Sequence, residues 1–164
     1  ALIAVNTPAD CLMIPENLSS EVVGKNYYLT YMRPYEKRWI GRIQEALKFS
    51  FIHMDGTLKG LIGDVAETGF DVMEALTPAP YGNIPIDELS DAAGPGPILW
   101  GGLPGPFFTN QVDEDTFDEF VIRTLTVMRK EPRFVLGVAD QVPPDALWER
   151  VGKVIELLEQ YGRY

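Results

Sequence analysis

The chain holds one cysteine and one histidine in 164 residues. The single thiol, Cys11, excludes an internal disulfide and a cysteine-rich zinc site. It fits a reducing, cytoplasmic setting, and Cys11 itself is expected as a small buried residue. Cationic residues are also scarce, and the formal net charge is −10. No Lys/Arg cluster is present to release counterions from a phosphate backbone, which excludes nucleic acid as the partner. An anionic membrane face is excluded on the same ground. No apolar run approaches the roughly twenty residues that a membrane span needs, and no basic-then-apolar leader is visible. The chain opens on Ala1 directly into an apolar run, which reads as an interior cut. Low-complexity tracts and solenoid-spaced repeats are lacking too.

What is present describes an ordinary globular core: 46% apolar and 23% charged residues, enough for one domain over residues 1–164. Four stretches carry helical periodicity. The first places Tyr35, Trp39, Ile40, Ile43 and Leu47 on one face, and the second Leu58, Leu61, Ile62 and Val65. The third joins Phe117, Phe120, Val121, Leu125 and Met128, with acidic residues before it and Arg129 and Lys130 after it, as the helix dipole favours. The fourth runs through Leu147, Trp148, Val151, Val154, Ile155 and Leu158, between Pro143–Pro144 and Gly162. The tyrosines at 27, 28, 31 and 35 are expected to pack together.

Between the helices lie short apolar runs at 49–52, 70–73, 97–100 and 134–138, with a further candidate at 11–14. Their near-continuous apolar character predicts parallel strands covered on both faces. Repeated strand–helix alternation predicts right-handed βαβ units in a parallel α/β sheet. Polar residues recur where these runs end: His53 and Asp55, Glu74, then Asp140 and Gln141, with Trp100-Gly101-Gly102 at the third. The C-terminal ends of parallel strands face the ligand in such folds, so these positions form a candidate site.

The sequence His53-Met54-Asp55-Gly56 resembles the strand-ending His-x-Cys-Gly or His-x-x-Gly of the uroporphyrinogen-decarboxylase superfamily. That superfamily includes the decarboxylases and the zinc-dependent corrinoid and coenzyme M methyltransferases. Three further stretches follow in the family's order: Glu67-Thr68-Gly69-Phe70-Asp71, Leu99-Trp100-Gly101-Gly102-Leu103-Pro104, and Gly137-Val138-Ala139-Asp140-Gln141-Val142-Pro143-Pro144. The resemblance implies the C-terminal half of a (β/α)₈ barrel, with the N-terminal half outside this chain. It also implies closure by that half or by a second chain, as in a homodimer, since an open half-barrel leaves two sheet edges and an apolar wall unpaired.

The methyltransferases bind zinc through a His, a Cys two residues on, and a later Cys. Aligned by motif, the resemblance offers His53, Asp55 and Asp140, with Glu74 as a further group. One His and two carboxylates suit zinc or another divalent metal. Catalytic roles then fall to His53, Asp140 and Glu74. Substrate contacts fall to Glu16 and Asn17, which match a polar family position, and to Trp100, Gly101 and Gln141. The alternatives are a metal-free pocket lined by a His53–Asp55 pair, and Asp140 as a plain turn or helix N-cap residue. Three functions follow: a methyltransferase-like enzyme working on a small molecule with a corrinoid protein as methyl donor; a porphyrinogen decarboxylase, which needs no cofactor; and a non-catalytic ligand-binding barrel. The first is favoured. The acidic charge and the Asp at 140, where decarboxylases carry a His, weigh against the second.

Overall fold

The computed structural model describes residues 3–162; Ala1 and Leu2, where the opening apolar run begins, lie outside them. Five strands form one parallel sheet in the order β1 (Cys11–Leu18), β2 (Phe49–Met54), β3 (Val72–Leu76), β4 (Ile98–Pro104) and β5 (Phe134–Ala139). Each strand lies beside its neighbour in sequence. Successive right-handed crossovers in that order place the helices on one side and wind the strands as a barrel wall, not as a doubly wound sheet. The helices are α1 (Lys25–Tyr27), continuing through a π-helical turn at Tyr28–Met32 into α2 (Arg33–Glu45), then α3 (Ile62–Ala66), α4 (Leu89–Ala93), α5 (Glu114–Met128) and α6 (Trp148–Tyr161). Among the described residues no helix is long and apolar enough to cross a membrane.

All five strands appear where the apolar runs predict them, but covered on one face only. In β2, Ser50, Ile52 and Met54 are buried, whereas Phe49, Phe51 and His53 alternate onto the other side and retain solvent contact. Register carries this second face across the sheet: Phe51 pairs with Val72, Val72 with Ile98, and Trp100 with Val135. Met13, Phe49, Ile98, Trp100 and Val135 are all exposed on it. Continuous apolar patterning is therefore correct for the sequence. Its second partner, the filled interior of a closed barrel, is absent among the described residues. Cys11, expected inside, lies exposed in β1 for the same reason.

The buried face rests on two clusters. One joins Leu18, Ile52, Met54, Met73 and Leu99 to Ile40, Leu61, Val65 and Leu89. The other packs Leu103, Phe107 and Phe108 against Phe117, Val121, Leu125 and Leu157. Burying each such side chain contributes about 2 kcal/mol. α5 begins as its acidic start predicts: Asp113 caps it, accepting from the Thr116 N–H at 2.9 Å. Those bonds hold the Asp113 carboxyl below its ordinary range. The second periodic stretch is only partly helical: α3 begins at Ile62, and the Leu58 and Lys59 N–H groups before it donate to Asn83 Oδ1. Of the clustered tyrosines only Tyr28 is buried; Tyr27, Tyr31 and Tyr35 stand exposed. In α6, Trp148, Ile155 and Leu158 are exposed as well, the last two lining clefts beside β5.

The end of α2 yields a stability prediction. Lys48 N–H donates to Ile43 C=O and Leu47 N–H to Gln44 C=O, the pair of bonds that closes a Schellman motif. Leu47 occupies its left-handed position, at φ 57°, and is 94% exposed. A leucine there costs about 1 kcal/mol that glycine avoids, with little packing to lose. Leu47→Gly is expected to raise stability by about 1 kcal/mol in urea unfolding; a loss of similar size would contradict the assignment.

Candidate functional site

The site is built at the C-terminal ends of β2, β3 and β5. Strand alternation puts His53 on the open face of β2, and register sets Glu74 of β3 directly beside it. His53 Nδ1 lies 2.7 Å from Glu74 Oε2. The carboxylate accepts from Nδ1–H, which fixes the ring's orientation and leaves Nε2 as the outward nitrogen. His53 Nε2 is 3.7 Å from Asp140 Oδ1, at the exit of β5. The side chains of His53 and Glu74 are 21% and 16% exposed, against 48% for Asp140. One imidazole is thus held between two carboxylates, with access from the open face.

Backbone irregularities produce this convergence. Ala75, next to Glu74, has φ 64°, and the β3–β4 register slips between Met73 and Leu76. This is a bulge that re-aims the strand end, at a cost of about 1–2 kcal/mol for a left-handed alanine. Thr77 staples it: its hydroxyl donates to Ala75 C=O at 3.1 Å and accepts from Gly56 N–H at 3.3 Å, which ties the bulge to the loop after His53. β4 stands between β3 and β5, yet at this level it presents only Gly101 and Gly102. A Cβ on Gly101 would sit 2.6 Å from the Leu76 backbone. Asp140, at φ 68°, can therefore reach His53 across a strand without side chains. Aspartate tolerates that conformation better than most residues.

Not every expected site residue joins this group. Asp55 makes no hydrogen bond or ion pair among the described residues. Glu16 alternates with Leu12, Ile14 and Leu18 toward α2, where its charge acts on Glu36; Asn17 is exposed on the opposite side. Trp100 lies on the open face with its ring edge-on to Phe51, centroids 5.9 Å apart, and rests over Gly137, where a Cβ would meet the indole at 2.6 Å. Gln141 is exposed, and its backbone carbonyl abuts Gly105. The N-cap alternative for Asp140 is overturned, since α6 begins after Leu147 with no side-chain cap. Sequence reasoning missed Phe51, Ile98 and Val135 as the apolar wall. Phe51 was legible by parity, two residues before His53. Thr77 carried no local signal.

A metal held by His53, Asp55 and Asp140 does not fit this arrangement. Glu74 on Nδ1 would orient a ligating imidazole and leaves Nε2 open, but no group of three His, Cys, Asp or Glu side chains is placed to hold an ion among the described residues. Cys11, the one thiol, lies at the opposite end of β1.

The family model described as uroporphyrinogen decarboxylase (URO-D) matches residues 2–161. Among solved structures, a methyltransferase from Methanosarcina mazei is similar in fold, with a TM-score of 0.69 at 14% sequence identity. The match covers 94% of this chain and 43% of that one, so this chain spans under half of that chain's length. No curated protein matches the sequence significantly.

Proposed function

Because the chain belongs to the uroporphyrinogen decarboxylase (URO-D) family, we propose that it is the site-bearing part of a methyltransferase-like enzyme in which His53 moves a proton at the reacting group. The observation that carries this is the Glu74–His53–Asp140 arrangement at the strand ends. Glu74 orients the ring through Nδ1, as a carboxylate orients a general-acid histidine elsewhere. Nε2 then faces a substrate resting on Phe51 and Trp100. A proton given from Nε2–H of the imidazolium to the heteroatom of a methylated small molecule would make that heteroatom a better leaving group as its methyl group passes to the methyl-carrying partner. In the reverse sense, Nε2 takes the proton of an acceptor as it is methylated. The methyl-carrying partner is proposed to be a corrinoid protein. No step is assigned to a metal, given the donor geometry above.

The open face also needs covering. Both free edges are flanked by apolar clefts, of about 200 Å³ between β1 and α2 and about 440 Å³ among β5, α5 and α6. Five strands are present, so an eight-stranded barrel lacks three. A second copy would bring five, and would cover the face by stacking instead of closing the cylinder. The completing piece is therefore proposed as a three-strand α/β segment.

Decarboxylation is the second reading, and the description of the matching family model favours it. The same His53 would protonate the carbon that loses its carboxylate. A substrate rich in carboxylates would nevertheless meet Glu74 and Asp140 at this end, not cations. The test is methyl transfer and decarboxylation assayed side by side, with His53 present and with His53→Ala. Methyl transfer lost in the variant supports the proposal. Methyl transfer unaffected by the substitution, or decarboxylation alone, overturns it.

A further inference from the structure

We propose that Glu36 is a proton switch: protonated, it completes a one-way chain of hydrogen bonds that ties the π-helical turn to α3, and ionised, it breaks that chain. The inference rests on the fold and is independent of the reading of His53. Glu36 of α2 is fully buried. Its Oε2 lies 2.6 Å from the Tyr28 hydroxyl. That hydroxyl is 2.7 Å from Thr68 Oγ1, which is 2.9 Å from the Asp64 carbonyl.

Counting protons decides the direction of the chain. Three links are formed, but Tyr28 and Thr68 bring only two hydroxyl protons. The Asp64 carbonyl can only accept, so Thr68 must donate to it. Tyr28 must then donate to Thr68, and the third proton has to come from Glu36 as a carboxylic acid. A carboxylate would accept at one end while the carbonyl accepts at the other, and one link would be lost. The second oxygen, Glu36 Oε1, is buried without a hydrogen-bond partner. That is tolerable for a neutral acid and costly for a charge.

The surrounding charges agree. Glu16 of β1 faces Glu36 and opposes its ionisation. Lys25 of α1 is engaged by Asp64 of α3 at 2.8 Å. Arg33, on α2 itself, reaches the Glu67 side chain at 3.4 Å, and among the described residues no cation pairs with Glu36. Burial first, and then the Glu16 charge, push the Glu36 carboxyl up to about 7, against the opposing Tyr28 hydrogen bond. Burial likewise raises the Tyr28 phenol, which stays protonated.

The sign follows from linkage. Below the ordinary carboxyl value of 4.5 the stabilisation is complete, and it is lost as pH rises through about 7. The test is amide-exchange protection of Tyr28–Met32 at pH 6 and pH 8.5 in the whole chain. Wild type is expected to lose about tenfold in protection, the worth of one hydrogen bond. Glu36→Gln keeps a donor toward Tyr28, so it should show high protection at both pH values. Thr68→Val, which cuts the chain at its far end, should show low protection at both. Should Glu36→Gln fail to fold, the wild-type infrared signal of a protonated buried carboxyl must still disappear with a midpoint near pH 7. Wild-type protection that is unchanged, a fall that persists in Glu36→Gln, or no such infrared signal overturns the proposal.

Discussion

His53→Ala is expected to lower turnover by about a thousandfold, the usual worth of a positioned acid–base group, while the protein remains folded. The ring is partly exposed and makes no contribution to either apolar cluster. Its removal should therefore weaken the site far more than the fold. Glu74 is left without its donor but keeps solvent access, which holds the structural cost to about 1 kcal/mol. Glu74→Gln preserves the side-chain shape and can present an amide oxygen to Nδ1–H. It loses the charge, and a fall of about tenfold to a hundredfold is expected. Asp140→Asn should have the smallest effect, because the 3.7 Å separation and half-exposed carboxylate make a weak contact. The order of the three variants, measured as kcat/KM in the methyl-transfer assay, checks the account more stringently than any one value. Equal effects at all three positions, or the largest at Asp140, would contradict it.

Arg150→Ala is expected to cost about 4 kcal/mol, a large share of the 5–15 kcal/mol by which a domain is ordinarily stable. Arg150 is buried at the start of α6. It donates to the carbonyls of Phe107 at 2.5 Å, Thr109 at 2.7 Å and Val112 at 2.6 Å, and its guanidinium lies over the Phe117 ring, 4.9 Å from the centroid. Three carbonyls of the segment after β4 thus depend on one cation. Each hydrogen bond to a charged group is worth about 1.5–3 kcal/mol, and stranding an acceptor adds its desolvation cost; because the three share one donor, the terms do not add in full. Arg150→Lys should recover only part, since an ammonium cannot span the fork of a guanidinium. Urea unfolding monitored at the tryptophans reads both variants. A loss under about 1 kcal/mol in Arg150→Ala would show that this segment is held by other contacts.

The strands were legible because parallel-strand cores are written locally, as short apolar runs such as Phe49–Ile52 and Phe134–Val138. The polar residues that end them marked the site by position, and His53, Glu74 and Asp140 do meet. What brings them together was not legible. The left-handed Ala75, the glycine gap in β4 and the Thr77 staple depend on register between strands distant in sequence. Asp55 was assigned by its place in a motif, and among the described residues the bonded partners of His53 are Glu74 and Asp140 instead. Glu36 gave no sign in sequence of being buried. A glutamate on an amphipathic helix ordinarily faces solvent, and only the π-helical turn before α2 brings Tyr28 over it. Arg150 escaped for a similar reason, hidden in a stretch chosen for its apolar spacing.

Glu74 holds the His53 ring with Nδ1–H toward it and Nε2 outward on the open face. Because His53 is the only histidine, long-range ¹⁵N NMR of the protein shows one imidazole. At a pH where the ring is neutral, a single Nδ1–H tautomer is expected in wild type. A ring that averages freely between tautomers, and is unchanged in Glu74→Gln, would contradict it.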